Sequence, residues 1–259
     1  MKYFSLLKNT IPLFLILFLF SCASRKDVVY YQNIDTMGSQ EKSTSYEIRI
    51  QPDDLLSINV SAEDSEVAMP FNLNPANPLS SGKESAKESS YLVDVDGFID
   101  FPVLGKIKLS GMTRSEILAL FQKKISNYIR GPIITLAIKN FKISLQGEVN
   151  APGTYPVVSE RVTLIEALTM AKDLTIYGRR NNILIIREID GIKSYNRVDI
   201  TKADFIRSPF YYMAQNDVVY VEPNKSKISG SAVGANTGLI FSVTSILITV
   251  ISLIITTSK

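Results

Sequence analysis

Carboxylates are the side chains of this sequence best able to do chemistry, and they come in three groups. These are Asp53 with Asp54, Glu63 with Asp64 and Glu66, and Asp94 with Asp96 and Asp100. Two carboxyls facing a glycosidic bond, one as acid and one as base or nucleophile, are what sugar-chain hydrolysis needs. The spacing here argues against that use. Asp53 and Asp54 adjoin in a Gln51-Pro-Asp-Asp54 turn, and Asp96 is consumed by an Asp-Gly hairpin turn. Asp94 and Asp96 share one strand face and could line an acidic ring in an oligomer, but solvated turn and strand positions are the simpler account. Histidine is absent, which removes the commonest general base and the commonest zinc ligand. Cys22 is the only cysteine, which excludes an intramolecular disulfide and a cysteine metal cage. No catalytic residue, metal ligand or cofactor site is assigned, and an enzyme is not expected.

Binding residues are the next class. Arg179 and Arg180, with Arg187 nearby, could touch an acidic sugar chain or a neighbour's carboxylate; the plainer reading is an exposed loop beside a strand. Phe210-Tyr211-Tyr212 could stack on sugar rings, though such a cluster more often packs under a sheet edge. Gly147, Gly153 and Gly178 are turn glycines and lack the spacing, and the following Lys-Ser/Thr, of a nucleotide loop. The 259 residues carry 28 basic and 25 acidic side chains, with no basic run and no basic–aromatic interleaving, so a nucleic-acid partner is not indicated.

Both chain ends are apolar. Lys2 and Lys8 precede the run Ile11 to Phe20, broken only by Pro12, and Leu19-Phe20-Ser21-Cys22 reads as a lipobox. Residues 1–21 are thus expected to be a lipoprotein signal, with Cys22 lipidated and 22–45 a linker that adds an edge strand at Val28 to Tyr31. Ala23 after the cysteine fits sorting to an outer membrane. Without residues 1–21, 26 basic side chains face 25 acidic ones. At the other end, residues 238–257 carry no charge and predict a transmembrane helix, preceded by a linker over 224–237. The apolar run Leu239 to Ile255 is about 25 Å long as a helix, at the short end of what spans a bilayer. Ser242, Ser245, Thr249, Ser252 and Thr256 step along one face of it. Such a stripe suits a pore lining or an interface between helices. The competing reading is that each hydroxyl bonds its own i−4 carbonyl.

Between the ends, hydrophobic periodicity predicts an α+β fold. Tyr46–Ile50 and Leu55–Val60 alternate about the Gln51–Asp54 turn. Residues 69–90 are rich in Pro, Asn, Ser and Lys and read as an inserted loop. Tyr91–Val95 and Phe98–Phe101 flank Asp96-Gly97 as a hairpin, and Val103–Leu109 continues as a strand. Thr113-Arg-Ser-Glu116 is a capping box opening a helix that ends by Arg130-Gly-Pro132. Ile133–Lys139 closes the first unit. A second begins near Lys142, with strands at 143–146, 154–158, 182–188, 195–200 and 217–222. Thr163-Leu-Ile-Glu166 caps its one helix, which runs to about Leu174. One helix crossing a small mixed sheet is a β-grasp outline.

These motifs resemble the outer-membrane polysaccharide export family. The likeness rests on Tyr46 to Val60, on Val93-Asp-Val-Asp-Gly-Phe-Ile-Asp-Phe-Pro-Val-Leu-Gly105 with Leu109-Ser-Gly-Met-Thr113, and on Gly147-Glu-Val-Asn-Ala-Pro-Gly-Thr-Tyr-Pro156 with Asp217-Val-Val-Tyr-Val-Glu-Pro223. The resemblance implies a polysaccharide export domain at 46–141 with an insertion at 69–90. It implies a soluble-ligand-binding β-grasp domain at 142–223, one where larger members carry two. It further implies a ring-shaped homo-oligomer of about eight subunits, C-terminal helices forming a barrel across the outer membrane, and an inner-membrane polysaccharide co-polymerase as partner. The resulting expectation is a lipid-anchored channel for capsular or exopolysaccharide, mostly in the periplasm. The competing reading is a periplasmic glycan-binding scaffold whose last helix is a simple anchor.

Overall fold

Alternating apolar residues account for most of the strands in the computed structural model, which describes residues 25–38, 46–73, 90–189, 191–232 and 237–257. In the first unit β1 (Leu55–Ser61) buries Leu56, Ile58 and Val60 and turns the residues between them outward. α1 (Ser65–Ala68) is a single turn capped by Asp64, whose carboxylate accepts from Glu66 N–H. β2 (Tyr91–Leu92) is short, β3 (Phe98–Phe101) and β4 (Gly105–Lys108) form a separate two-stranded ladder, and α2 (Arg114–Ile125) precedes β5 (Ile133–Ile138). β1 lies between β2 and β5, antiparallel to both.

α2 starts where the capping box predicts. Thr113 Oγ1 accepts from Glu116 N–H, and Glu116 accepts from Thr113 N–H at 2.7 Å. A cap of this kind contributes about 1 kcal/mol. Ile117, Phe121 and Ile125 form its buried face, and the Phe121 ring meets Phe101 edge-on at 4.7 Å. The charges also suit the helix dipole, with Glu116 in the first turn and Lys123 and Lys124 in the last.

Two expected pairings are not formed. Tyr46–Ile50 makes only an isolated bridge, Arg49 to Thr113, although Ile48 and Ile50 are buried. The Asp96-Gly97 turn exists, with Gly97 at φ +85°, but it does not join two strands into a ladder. The Asp94 carboxylate accepts from both Asp96 N–H and Phe98 N–H and closes the turn locally. β2 then pairs with β1, and β3 folds back on β4 through Pro102–Leu104. Gly97 is also required by close approach, since a Cβ there would lie 2.3 Å from Ser110 Cβ.

The second unit is a five-stranded sheet with one helix. β6 (Lys142–Gly147), β7 (Gly153–Pro156), α3 (Leu164–Met170), β8 (Gly178–Ile189), β9 (Ile192–Val198) and β10 (Val218–Pro223) assemble in the strand order β7-β6-β10-β8-β9. Only β6 and β10 are parallel. Thr163 and Glu166 make a second complete capping box. α3 stops at Met170, short of Leu174, because Lys172 and Asp173 turn into the left-handed region at φ +59° and +65°. Leu164, Ala167 and Leu168 pack with Ile143, Leu145, Ile183, Ile185, Val219 and Val221 into the core.

Residues 25–38, expected as a linker, are docked on this second unit. Tyr31 N–H donates to Ile200 O at 3.4 Å and Gln32 N–H to Thr201 O at 2.8 Å. Asn33 accepts from Ala203 N–H through its side-chain oxygen and donates to Asp204. The Tyr31 ring stacks on Phe205 at 5.6 Å, and Tyr30 Oη donates to Asp173 at 2.6 Å. No edge strand forms at Val28–Tyr31, where Tyr31 sits at φ +53°.

Beyond β10 the expected linker is partly helical, as α4 (Lys225–Ala232), and α5 (Thr237–Thr257) follows. Among the described residues no helix is long and apolar enough to cross a membrane, which overturns the expected transmembrane helix. The physical reason lies in length and composition. The run Leu239 to Ile255 gives about 25 Å of helix, less than a hydrocarbon core of about 30 Å, and hydroxyls recur through it. The remaining architecture is α+β as expected.

Candidate functional site

The two units meet at Asn140, whose side chain bonds the first unit and whose backbone bonds the second. Asn140 Oδ1 accepts from Leu55 N–H at 2.8 Å and Nδ2 donates to Asp53 O at 2.8 Å. Its carbonyl accepts from Gln215 Nε2 at 2.9 Å, and Gln215 Oε1 accepts from Lys142 N–H. Beside this clasp Tyr46 of the first unit stacks on Tyr212 of the second, with centroids 5.0 Å apart and an angle of 15°. Arg161 lies over the Tyr212 ring at 5.6 Å.

This junction opens into a cleft of about 530 Å³. Its floor is apolar, formed by Ile48, Leu136, Ile138 and Phe141; its rim is polar and charged, with Glu47, Arg114, Ser115, Glu160 and Arg161. Arg114 Nε donates to Leu136 O at 3.2 Å and lies 3.3 Å from Glu160, joining the units across the rim. Glu47 accepts from Ser115 Oγ at 2.5 Å. Hydrogen bonds from Ser115 and Thr113 hold the Glu47 carboxyl below its ordinary value. A volume of this size is within the range of about 300–1,000 Å³ common to ligand clefts, and a domain junction is a usual place for one.

The described residues chosen from the sequence lie elsewhere. Arg179 and Arg180 are neighbours on β8, so their side chains leave opposite faces of the sheet. Arg179 pairs with Glu222 at 2.9 Å, and Arg197 and Asn182 reach the same carboxylate. Those contacts, Arg197 first, lower the Glu222 carboxyl below its ordinary value. Arg180 is buried, donates to Gly178 O at 3.0 Å, and lies over the Tyr30 ring at 5.5 Å. The pair does not act together. Ser242, Ser245 and Thr249 on α5 donate to Gly238 O, Phe241 O and Ser245 O at 2.8, 2.9 and 2.8 Å. The i−4 reading therefore holds for these three. Ser252 lies on the same helix, and the side chain of Thr256 and Cys22, the expected lipidation position, lie outside the described residues. Asp94 and Asp96 sit in a turn, not on a strand face, so no acidic strand face is formed. Among the described residues no group of three or more His, Cys, Asp or Glu could hold a metal ion.

Sequence reasoning missed Tyr46, Arg114, Glu160 and the whole cleft, because its walls come from both units. It also missed the buried pair Arg187–Asp217, which spans 30 positions. Phe210, Tyr211 and Tyr212 pack as expected: Arg187 lies under Phe210 at 5.0 Å, and Tyr211 meets Tyr212 edge-on at 4.9 Å.

Comparison with known proteins places the first unit. Residues 42–139 match the family model described as "Polysaccharide biosynthesis/export protein". Two of the three sequence motifs, Tyr46 to Val60 and Val93 to Thr113, fall inside that match. The chain is 30% identical over 164 residues to the EPS I polysaccharide export outer membrane protein EpsA of Ralstonia nicotianae. It is 29% identical over 163 residues to the protein of the same name from Ralstonia solanacearum. The alignments cover 61% and 60% of this chain but 42% of each relative, so the chain spans less than half the length of these relatives.

Proposed function

We propose that this chain, whose residues 42–139 belong to the polysaccharide biosynthesis/export family, serves the export of a capsular or exopolysaccharide at the outer membrane. The observation that carries this reading is the match of the complete first unit, β1 to β5, to that family. The work of export is assigned to polymer synthesis and to an inner-membrane co-polymerase. The second unit is read as the ligand-binding module of the same machine, and Cys22 as its lipid anchor. Deleting the gene in the producing cell is expected to abolish surface polysaccharide while its synthesis continues, and the full chain should restore it. Unchanged surface polysaccharide in the deletion strain would sink this reading.

The finer proposal is a ring of identical subunits through which the polymer passes. Its support is α5, on which Phe241, Ile246, Leu247, Ile248, Leu253 and Ile254 are all more than half exposed. One apolar helix per chain, unpartnered among the described residues, is covered when copies associate. The small hydroxyl residues Ser242, Ser245, Thr249, Ser252 and Thr256 are then the positions where neighbouring helices come closest. Native mass spectrometry of the detergent-extracted protein should give a closed oligomer that dissociates when residues 238–259 are removed. A monomer in mild detergent would refute the ring.

A further inference from the structure

Resting on the export reading, we propose that the cleft between the two units is a weak subsite for an uncharged stretch of the exported glycan. Sugar residues would lie with their ring faces over Tyr46 and the apolar floor, and with their hydroxyls among Glu47, Arg114, Glu160 and Arg161. Three observations carry this. The first is size: the cleft, of about 530 Å³, has room for a short oligosaccharide. The second is the pattern of surfaces. A pyranose has an apolar C–H face and a rim of hydroxyls, and the cleft presents an aromatic ring and aliphatic floor inside a polar rim. Tyr46 has one face taken by Tyr212, so its position in the cleft wall is fixed before any ligand arrives.

The third observation is charge. The rim holds two arginines and two glutamates, and they cancel. Each hydroxyl is both donor and acceptor, so it can give its proton to Glu47 or Glu160 and accept from Arg114 or Arg161. A glycan carrying carboxylates meets Glu47 and Glu160 as well as Arg114 and Arg161, so the neutral rim gives it no net attraction to offset the cost of desolvating its charges. Arg114 is already oriented by Leu136 O and Glu160, which lowers the cost of ordering it on binding. Weakness belongs to the proposal. The charged groups are solvent-exposed, and a polymer in transit must leave each site it enters.

The test uses the full chain with two probes, maltopentaose as a neutral oligosaccharide and tetragalacturonate as an acidic one. Binding is read by saturation-transfer and chemical-shift NMR. Maltopentaose is expected to bind with a Kd on the order of 1 mM and tetragalacturonate at least about tenfold more weakly. Glu160→Lys, at an exposed position, should reverse that order. Ser159→Trp, at the rim, should weaken both probes by crowding the cleft. Failure of both probes to bind, tighter binding of the acidic probe to the unmodified chain, or indifference to both substitutions each overturns the subsite. A chain that restores surface polysaccharide but binds neither probe loses the cleft assignment and keeps the export reading. A chain that binds maltopentaose but does not restore export keeps a sugar-binding cleft and loses its stated purpose.

Discussion

Asp54→Asn is expected to stabilise the protein at pH 7.5 by about 1–3 kcal/mol and by roughly a third of that at pH 4.5. Asp54 is wholly buried at the foot of the Gln51–Asp54 turn. One carboxylate oxygen accepts from Gln51 N–H at 2.8 Å; the other has no hydrogen-bond partner. Burial lifts its pKa from 3.8 to about 6, with Asp53 adding to the rise and Gln51 N–H and the Gln215 side chain opposing it. A carboxyl with a higher pKa in the folded than in the unfolded chain holds a proton between those two values only when folded. Its contribution to stability is therefore greatest below about pH 4, declines as pH rises to about 6, and stays low above that. Asparagine keeps the shape and removes the charge, so the decline should vanish. Urea denaturation of both proteins at the two pH values reads the difference directly. An equal gap at pH 4.5 and 7.5 would show that charge burial is not its cause.

Arg187→Met is expected to cost about 3–5 kcal/mol, the usual consequence of leaving a buried charge without its partner. Arg187 meets Asp217 through two nitrogens, Nε to Oδ1 at 2.9 Å and Nη2 to Oδ2 at 2.6 Å. The arginine also donates to Tyr212 O at 2.9 Å, and Asp217 accepts from Ala214 N–H at 2.7 Å. Both side chains are inaccessible, at 8% and 0% exposure. Burial raises the Asp217 carboxyl above its ordinary value, and the guanidinium opposes that rise. The pair fastens the Ser208–Asp217 loop to β8, and that loop carries Tyr212, the ring on which Tyr46 stacks. The variant should therefore also loosen the contact between the units, seen as faster amide exchange at Ile48 and Ile50. Combining Arg187→Met with Asp217→Leu should recover most of the lost stability, because no charge is then left unpaired. If the double variant is less stable than the single one, the hydrogen bond from Ala214 N–H to Asp217 outweighs the cost of leaving that carboxylate without its partner.

Local signals were readable and distant ones were not. The two Thr-x-x-Glu boxes each contain both halves of their hydrogen bonds within four residues, and both helices begin where they predict. β1 and β5 follow from alternation alone. Tyr46–Ile50 alternates equally well, yet a strand needs a free neighbouring ladder, and β1 already has β2 and β5 on its two sides. The Asp-Gly turn is correct as a turn, but the partner of β2 is chosen by burial against β1, not by the turn. Arg179 and Arg180 read as one basic spot until β8 is seen to start at Gly178, which sends them to opposite faces. Asp54 looked like half of an exposed acidic pair. It is buried beside the junction that Asn140 and Gln215 form, and those two residues arrive from far along the chain.

The docking of residues 25–38 has a consequence for the order in which the molecule is made. The second body of the protein is discontinuous in the chain: it includes residues 25–38, is interrupted by the whole first unit, and resumes at Lys142. Asn33 must find Ala203 and Asp204 across separations of 170 and 171 residues. Closing so long a loop early is entropically costly, while the first unit makes its contacts within 46–138. During vectorial delivery from the N-terminus, the first unit can thus fold as soon as β5 emerges. Tyr30, Tyr31 and Asn33 must wait, with two tyrosine rings uncovered, until Ile200–Phe205 has been delivered. The N-terminal segment is therefore the earliest part of the described chain to appear and among the last to find its place.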